Sequence, residues 1–185
     1  MAGRQGRQGQ ADPLSEDRST TTELASLAPR VQARFIERGV TLATAESCTG
    51  GLIGHIITEV SGSSAYYLGG VVSYANAVKI AGASVSPSTL DRFGAVSEEV
   101  ATEMARGIRA RLGADVGAAV TGIAGPDGGS VEKPVGLTWI AVAGPTAEAV
   151  TTRRFVWDGD RSANKIDSAR AVLELLLTVV SPAGS

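Results

Sequence analysis

The octapeptide TAESCTGG places a carboxylate, two adjacent candidate nucleophiles and a hydroxyl between two apolar segments, GVTLA and LIGHII. This pattern predicts a strand, a tight turn and the start of a helix. Backbone N–H groups at a helix start have no intrahelical partner, so those of Thr49, Gly50 and Gly51 could stabilise an oxyanion formed beside Ser47 or Cys48. In the alternative interpretation, Ser47 or Thr49 only caps the helix and the glycines allow close packing.

Of the two adjacent nucleophiles, Ser47 is favoured by the bases that the chain has available. The chain has one histidine, His55, and seven helical residues would separate it from Cys48 by about 10 Å, beyond hydrogen-bond reach. His55 is therefore expected to be a packing or surface residue, and Cys48 a small buried apolar one. Ser47 would then have to take its base from a lysine.

The chain has only three lysines, so few residues could be that base. Lys79 follows the second predicted strand, in SYANAVK, and would lie near Ser47 if the first two strands pair. A lysine amine can take a serine proton only if its pKa falls well below about 10.4, as burial would cause. Tyr74, at the same strand end, could relay a proton or position substrate. The alternative is that Lys79 is a solvated charge on a helix and Tyr74 a sheet aromatic.

A Gly-rich stretch, TGIAGPDGGSVEKPVG, follows a buried strand of small residues. Its glycines would let a ligand approach the backbone, and clustered N–H groups favour an anion. It matches neither the P-loop nor the GxGxxG pattern, and Asp127 with Glu132 lacks EF-hand spacing. Its length predicts a substrate loop. Arg153, Arg161 and Lys133 are available to meet a phosphate, although surface solvation would explain each equally well.

Composition argues against several classes of function. The net charge is −2 with no long basic run, so no nucleic-acid partner is expected. No apolar segment is long enough for a membrane span, and the start lacks a signal-peptide core. One cysteine and one histidine make a disulfide or a zinc site unexpected. These features agree with a cytoplasmic protein. Residues 1–20 are predicted to be a disordered tail, and residues 21–181 a single domain.

Hydrophobic periodicity predicts the elements that position these residues. The chain should run α-β-α-β-α-α-β-β-β-α, with its second strand at residues 68–74 and a helix whose N-terminus lies at residues 49–51. The clearest helix has Ser97 as its N-cap and Gly113 as its stop, and Asp160 should cap the last helix. The late strands form a hairpin. This order predicts an α/β fold, a three-layer α/β/α arrangement with a mixed sheet, and sites beyond the carboxyl ends of strands.

Five blocks of the sequence, taken together, resemble one known family. TAESCTGG, GSSAYYLGGVVSYANAVK, FGAVSEEVATEMARG, VTGIAGPDGGSVEKPVG and the GDR before the last helix are similar, in this order, to the signature blocks of the CinA C-terminal domain family. The resemblance covers residues 24–177 and implies the fold of that family. Its members include nicotinamide-nucleotide amidases, which hydrolyse nicotinamide mononucleotide to nicotinate mononucleotide and ammonia. The chain resembles the stand-alone form of these enzymes.

The resemblance implies a role for each matched residue and no metal or cofactor. The family's catalytic serine and lysine fall on Ser47 and Lys79, and Tyr74 matches the tyrosine before that lysine, so these three are expected to be catalytic. Glu46 is expected to contact substrate or to organise the turn. The expected substrate-binding residues lie in two glycine-containing blocks and at the last helix: Glu46, Thr49, Gly50, Gly51, Thr121, Gly122, Gly125, Pro126, Lys133 and Arg161.

Two other functions are compatible with the sequence. One is a non-catalytic, nucleotide-sensing or regulatory module, because the family name derives from competence and DNA-damage induction. The other is an amidase that acts on a different amide, because no residue pattern identifies the pyridine ring. The composition of small residues and the one-sided final helix suit a homo-oligomer and a monomer equally.

Overall fold

The computed structural model describes residues 13–144 and 149–180. Helices and strands are numbered here in chain order, and a short 3-10 helix, Ser63–Ala65, follows the second α-helix. The elements are α1 Pro13–Arg38, β1 Leu42–Glu46, α2 Leu52–Thr58, β2 Tyr67–Val72, α3 Asn76–Ala83, α4 Pro87–Phe93, α5 Glu98–Leu112, β3 Val116–Gly122, β4 Leu137–Ala143, β5 Val150–Val156 and α6 Arg161–Val179.

The five strands form one mixed sheet in the order β2-β1-β3-β4-β5. β1 pairs in parallel with both β2 and β3, whereas β4 is antiparallel to β3 and to β5. The predicted mixed sheet with a late antiparallel hairpin is confirmed. Because β1, β2 and β3 run in the same direction, the residues that follow Glu46, Val72 and Gly122 emerge at one edge of the sheet.

Helices cover both faces of this sheet and give the predicted three layers. On one face the apolar sides of α1, α2 and α6 form a core that includes Phe35, Ile53 and Leu176. On the other face α5 packs Met104 and Ile108 against the small residues of the strands, with α3 and α4 beside it. Small residues permit this close packing: a Cβ at residue 117 or 107 would collide with the carbonyl oxygens of neighbouring helix residues.

Three element boundaries differ from those predicted, each for a backbone reason. Gly50 and Gly51 have positive φ angles of 67° and 97°, which a right-handed helix cannot include, so α2 begins at Leu52 and not within residues 49–51. β2 ends at Val72, because the chain turns there into α3. Asn76–Ala83 is a full eight-residue helix where the sequence indicated only a helical turn.

The N-terminal boundary also requires correction. α1 begins at Pro13, so residues 13–20, predicted to lie in a disordered tail, are helical. Pro at the first helical position and acidic residues soon after it favour a helix start. The remainder of the predicted tail, residues 1–12, lies outside the described residues, as does residue 181 at the end of the predicted domain. Among the described helices, none combines the length and the apolar character that crossing a membrane requires.

Candidate active site

Ser47 and Lys79 meet at the carboxyl edge of the sheet. Ser47 follows β1 directly, and its N–H donates to the carbonyl of Val120 in β3 at 3.0 Å. Lys79 lies in α3, which follows the neighbouring strand β2, and its Nζ is 2.9 Å from Ser47 Oγ. The parallel pairing of β1 with β2 therefore brings together the two residues that the sequence pairs as nucleophile and base.

The surroundings of Lys79 favour a neutral amine. The residue is 1% exposed, and its Nζ donates to the carbonyls of Ser73 at 2.6 Å and Tyr74 at 3.3 Å. Burial lowers the pKa of Lys79 below its ordinary value, and the nearby Cys48 thiol opposes this shift. A neutral amine has two N–H groups for the two carbonyls and one lone pair, which would face the Ser47 hydroxyl. This arrangement suits proton transfer from the serine to the lysine.

Glu46 is buried at the end of β1 and organises the turn between β1 and α2. Its carboxylate accepts four hydrogen bonds of 2.7–3.0 Å, from the N–H groups of Gly51, Ile53 and Gly54 and from the Thr49 hydroxyl. These amides lie at the N-terminus of α2, where backbone donors lack helical partners. The preceding strand thus supplies the carboxylate that caps the helix, and the predicted cap from a side chain within the turn is absent.

These bonds argue against direct substrate contact by Glu46, Gly50 and Gly51, whereas the role predicted for the Thr49 backbone stays a prediction. The Glu46 carboxylate is occupied inside the protein, and the Gly51 N–H donates to it. The Gly50 N–H donates to the carbonyl three residues before it, so neither glycine amide is available for an oxyanion. The amides of Cys48 and Thr49, the two residues that follow Ser47, act on the Cys48 thiol and lower its pKa. They are the donors of this turn that could meet an oxyanion next to the serine.

Cys48 adjoins Ser47, but its thiol is unsuited to act as the nucleophile. The residue is 6% exposed, and burial raises the pKa of Cys48 to about 12, although neighbouring amides and Lys79 oppose the shift. The thiol therefore stays protonated at neutral pH, whereas the thiolate is the reactive form. His55 has a side chain that is 63% exposed on α2, so the expectation of a non-catalytic surface histidine agrees with the structure.

A cleft of about 250 Å³ is lined by Ser47 and Lys79 and by three further segments. These segments are the loop after α4, the end of β3 with the Gly-rich loop, and the start of α6. The buried Thr121 hydroxyl donates to the carbonyl of Ala95 at 2.7 Å and so joins the first two segments. Seven of the predicted site residues line this cleft: Ser47, Tyr74, Lys79, Thr121, Gly122, Gly125 and Arg161.

The Gly-rich loop is fastened to the first turn of α6. Arg161 donates through Nη1 to the carbonyl of Gly125 at 2.7 Å, and Asn164 donates through Nδ2 to the carbonyl of Ala124 at 3.1 Å. The peptide bond between Gly125 and Pro126 is cis. Asn164 is 1% exposed and was not predicted as a site residue. A polar residue on the inward face of a helix start was the signal that could have identified it.

Tyr74 lies at the mouth of the cleft, with its side chain largely in solvent. The residue is 62% exposed, and its hydroxyl accepts a hydrogen bond from Arg161 Nη2 at 3.2 Å. In the described structure that hydroxyl contacts neither Ser47 nor Lys79, and only the Tyr74 carbonyl reaches the lysine amine. Of the two roles predicted from the sequence, this geometry favours positioning of substrate over relay of a proton.

Like the four predicted binding residues of the turn, two more, Pro126 and Lys133, are not among the residues that line the cleft. Lys133 Nζ donates to the carbonyl of Phe93 at 2.6 Å and lines a separate groove. Pro126 lines an adjoining cavity between the Gly-rich loop and α6. Both positions argue against the predicted direct substrate contacts, because the Lys133 ammonium donates to a carbonyl and Pro126 lines the adjoining cavity.

The cleft also contains residues that sequence reasoning did not select. Cys48, Ala95, Val96, Ile123 and Asp127 all line it. Ala95 and Val96 carry no polar side chain, so chemical reasoning about single residues could not have found them. Their place within the FGAVSEEV block was the available signal. Among the described residues, no group of three or more His, Cys, Asp or Glu is arranged to hold a metal ion.

Residues 24–180 match the family model described as the CinA C-terminal domain. The chain belongs to this family. The resemblance inferred from the sequence blocks is thereby confirmed. Solved CinA-related structures confirm the fold as well. The competence/damage inducible protein CihA from Agrobacterium tumefaciens superposes with a TM-score of 0.83 at 41% identity, over 86% of this chain and 96% of that one.

Curated relatives of this CinA-family chain fall into two lengths. A protein of Enterobacter agglomerans named nicotinamide-nucleotide amidohydrolase PncC is 46% identical over 154 residues, which are 83% of this chain and 93% of that protein. A putative competence-damage inducible protein of Halothermothrix orenii is 53% identical over 140 residues, or 76% of this chain. That alignment covers 34% of the longer protein, so the chain spans about a third of the length of such relatives.

Proposed function

We propose that this CinA-family chain is a nicotinamide-nucleotide amidase, which hydrolyses the carboxamide of nicotinamide mononucleotide to nicotinate mononucleotide and ammonia. One observation carries the proposal: a buried lysine amine, that of Lys79, lies 2.9 Å from Ser47 Oγ at a cleft large enough for a small ligand. The similarity to the amidohydrolase of Enterobacter agglomerans, over 93% of that protein, supports this choice of substrate.

The proposed reaction begins with attack of Ser47 Oγ on the carboxamide carbon. Lys79 accepts the serine proton in its neutral form, which burial favours by lowering the pKa of the amine. The amides of Cys48 and Thr49 stabilise the oxyanion of the tetrahedral intermediate. Lys79 then returns the proton to the leaving nitrogen, and ammonia departs from an acyl-enzyme. Water attacks this ester, its proton passes to Lys79, and the carboxylate product leaves with Ser47 restored.

Two features of the cleft suit a pyridine nucleotide. The quaternary ring nitrogen and the phosphate give the substrate opposite charges at its two ends, and the cleft lining presents Asp127 and Arg161. Arg161 retains guanidinium donors beyond the two that contact Gly125 and Tyr74. We assign the phosphate to Arg161, with the glycine backbone of the Gly-rich loop beside the ribose.

Ammonia release from nicotinamide mononucleotide tests the proposal directly. Purified protein, its Ser47→Ala variant and a matched Ser63→Ala variant would be compared, since Ser63 lies in the short 3-10 helix away from the cleft. We expect release by the wild-type protein and by Ser63→Ala, and none by Ser47→Ala.

Three other outcomes would redirect the assignment. Release that persists in Ser47→Ala would remove the serine from the mechanism. Binding of nicotinamide mononucleotide without ammonia release from any of the three proteins would replace the amidase with a nucleotide-sensing module. Release from simple amides but not from the mononucleotide would keep the chemistry and change the substrate.

A further inference from the structure

Lys133 belongs to the Gly-rich loop, yet its side chain leaves the cleft. It lines a groove together with Phe93, Val96 and Arg154, on the other side of the loop from Ser47. Its Nζ donates to the carbonyl of Phe93 at 2.6 Å, across 40 residues of sequence. An ammonium held in this way is directed toward the protein and not toward a ligand in the cleft.

The acceptor of this bond lies at a helix end that needs a partner. Phe93 is the last residue of α4, and the last carbonyls of a helix have no intrahelical donor. A cation at this position also meets the negative end of the helix dipole. Gly94 follows with a φ of 73°, and a Cβ placed there would lie 3.1 Å from Lys133 Nζ. The ammonium therefore packs directly against the start of the loop between α4 and α5.

That loop forms one wall of the cleft. Ala95 and Val96 both line it, and they are the two residues that come directly after Gly94. The carbonyl of Ala95 accepts the Thr121 hydroxyl at 2.7 Å, and the carbonyl of Gly94 accepts the Ser97 hydroxyl at 3.0 Å. Thr121 therefore holds this loop through a hydrogen bond from inside the cleft, and Lys133 holds it through a hydrogen bond from the separate groove.

Lys133 is itself fixed within the Gly-rich loop. Its N–H donates to Ser130 Oγ at 3.0 Å, and the Ser130 N–H donates to its carbonyl at 2.8 Å. With its backbone closed in this turn and its ammonium on Phe93, Lys133 joins the two loops that face the ligand. Loss of the ammonium would remove this connection between the α4–α5 loop and the Gly-rich loop.

We propose that Lys133 is a positioning residue, which sets the separation of the α4–α5 loop and the Gly-rich loop and so the shape of the cleft, without contact with substrate. The proposal rests on the amidase function above. It assigns to Lys133, which does not line the cleft, an effect on the shape of the cleft. A displacement of about 1 Å at a reacting group can cost on the order of a hundredfold in rate. We therefore expect loss of the tether to lower kcat/KM by about tenfold to a hundredfold.

The test compares Lys133→Met, Lys133→Arg and Arg154→Met with the wild-type protein. Arg154 is an exposed cation that lines the same groove, so its removal controls for charge without touching the tether. Each protein would be assayed with nicotinamide mononucleotide and with nicotinamide riboside, which lacks the phosphate. A positioning role predicts an equal loss of kcat/KM for both substrates in Lys133→Met, recovery of most activity in Lys133→Arg, and no loss in Arg154→Met.

A loss confined to the phosphate-bearing substrate would overturn the proposal and make Lys133 a phosphate ligand. Amide hydrogen exchange at residues 94–97 supplies a readout that does not depend on turnover. We expect faster exchange there in Lys133→Met only. Unchanged exchange in that variant would overturn the proposal that Lys133 holds the loop. If the wild-type protein releases no ammonia, the amidase function fails, while hydrogen exchange still decides the role of Lys133.

Discussion

The Glu46 carboxylate in the turn at residues 46–54 receives its hydrogen bonds from residues nearby in the chain, whereas the side-chain bonds that hold the ends of the Gly-rich loop, residues 122–136, join it to distant elements. Within the turn, the Glu46 carboxylate receives donors that lie three to eight residues along the chain. The Gly-rich loop is held by bonds from Arg161 and Asn164 to its start and by the bond from Lys133 near its end to Phe93, across 36 to 40 residues.

This difference separates the two tasks of the site. The nucleophile must stay in one place relative to its base, and a buried carboxylate with four donors gives a rigid local frame. A loop that surrounds a ligand is held instead by a few single hydrogen bonds at its ends, and its middle residues are exposed. Substitutions in the turn should therefore affect chemistry and stability, and loss of the bond from Asn164 to the start of the Gly-rich loop should affect mainly binding.

The largest effect is expected at the base. Lys79→Met keeps the length of a buried side chain and removes the amine, so turnover should fall by about 10²–10⁴-fold while the fold is retained. Lys165→Met is the matched control, because Lys165 Nζ lies close to Gly50, where an added Cβ would be 3.8 Å away, yet outside the cleft lining. Steady-state rates and circular dichroism would decide, and near-normal turnover in Lys79→Met would place the base elsewhere.

The pH dependence should report the same amine. Lys79 must be neutral to accept a proton, so kcat/KM should rise with pH through its lowered pKa and level off below 10.5, its ordinary value. Between that lowered pKa and 10.5, the unfolded chain binds more protons than the folded one, so the free energy of unfolding should increase with pH. Rate profiles and urea unfolding across the alkaline range test both statements, and a rate that falls over this window would contradict them.

A change within the turn should cost stability. Glu46→Gln preserves the shape of the side chain but sets an amide NH₂ against backbone donors, so we expect a loss of about 2 kcal/mol in the free energy of unfolding. Glu59→Gln, at an exposed carboxylate 4.0 Å from His55, should change this free energy by less than about 0.5 kcal/mol. Urea titration of both variants makes the comparison, and equal stabilities would show that the turn does not depend on the carboxylate.

The smallest effect is expected at a tether of the Gly-rich loop. Asn164→Ala removes one hydrogen bond to the Ala124 carbonyl, worth about 1 kcal/mol, and this should raise KM about fivefold with little change in kcat. Ser162→Ala, an exposed position on the same helical turn, is the control. A fall in kcat with an unchanged KM would reverse the division of tasks between turn and loop.

The same contrast explains what the sequence could predict. Strand–turn–helix patterning placed Ser47 at the edge of the sheet, and the scarcity of lysines pointed to Lys79, since parallel strands bring their carboxyl ends together. The order of the strands and the late hairpin followed from periodicity, whereas α3 was predicted only as a helical turn. Signals of this kind depend on residues that are close together in the chain, so they can be recognised from the sequence alone.

What escaped prediction depends on contacts between distant residues. Side-chain type suggested that Lys133 meets a phosphate, and only the tertiary structure shows its amine on Phe93. In the sequence Asn164 resembles any other polar residue of a helix, and only the structure shows its hydrogen bond to the Ala124 carbonyl. In the turn, the positive φ angles of Gly50 and Gly51 place the helix start at Leu52, which no composition rule specifies.

The raised pKa of Cys48, about 12, has a consequence for covalent inhibitors. Alkylating reagents such as iodoacetamide react with thiolates, so they should modify this buried thiol slowly although it adjoins the cleft. Boronic acids bond reversibly to serine oxygen, and here they would meet Ser47 with the Lys79 amine beside it. Selective inhibitors of this protein should therefore contain electrophiles that react with oxygen, and a screen of thiol-reactive compounds would not detect this site.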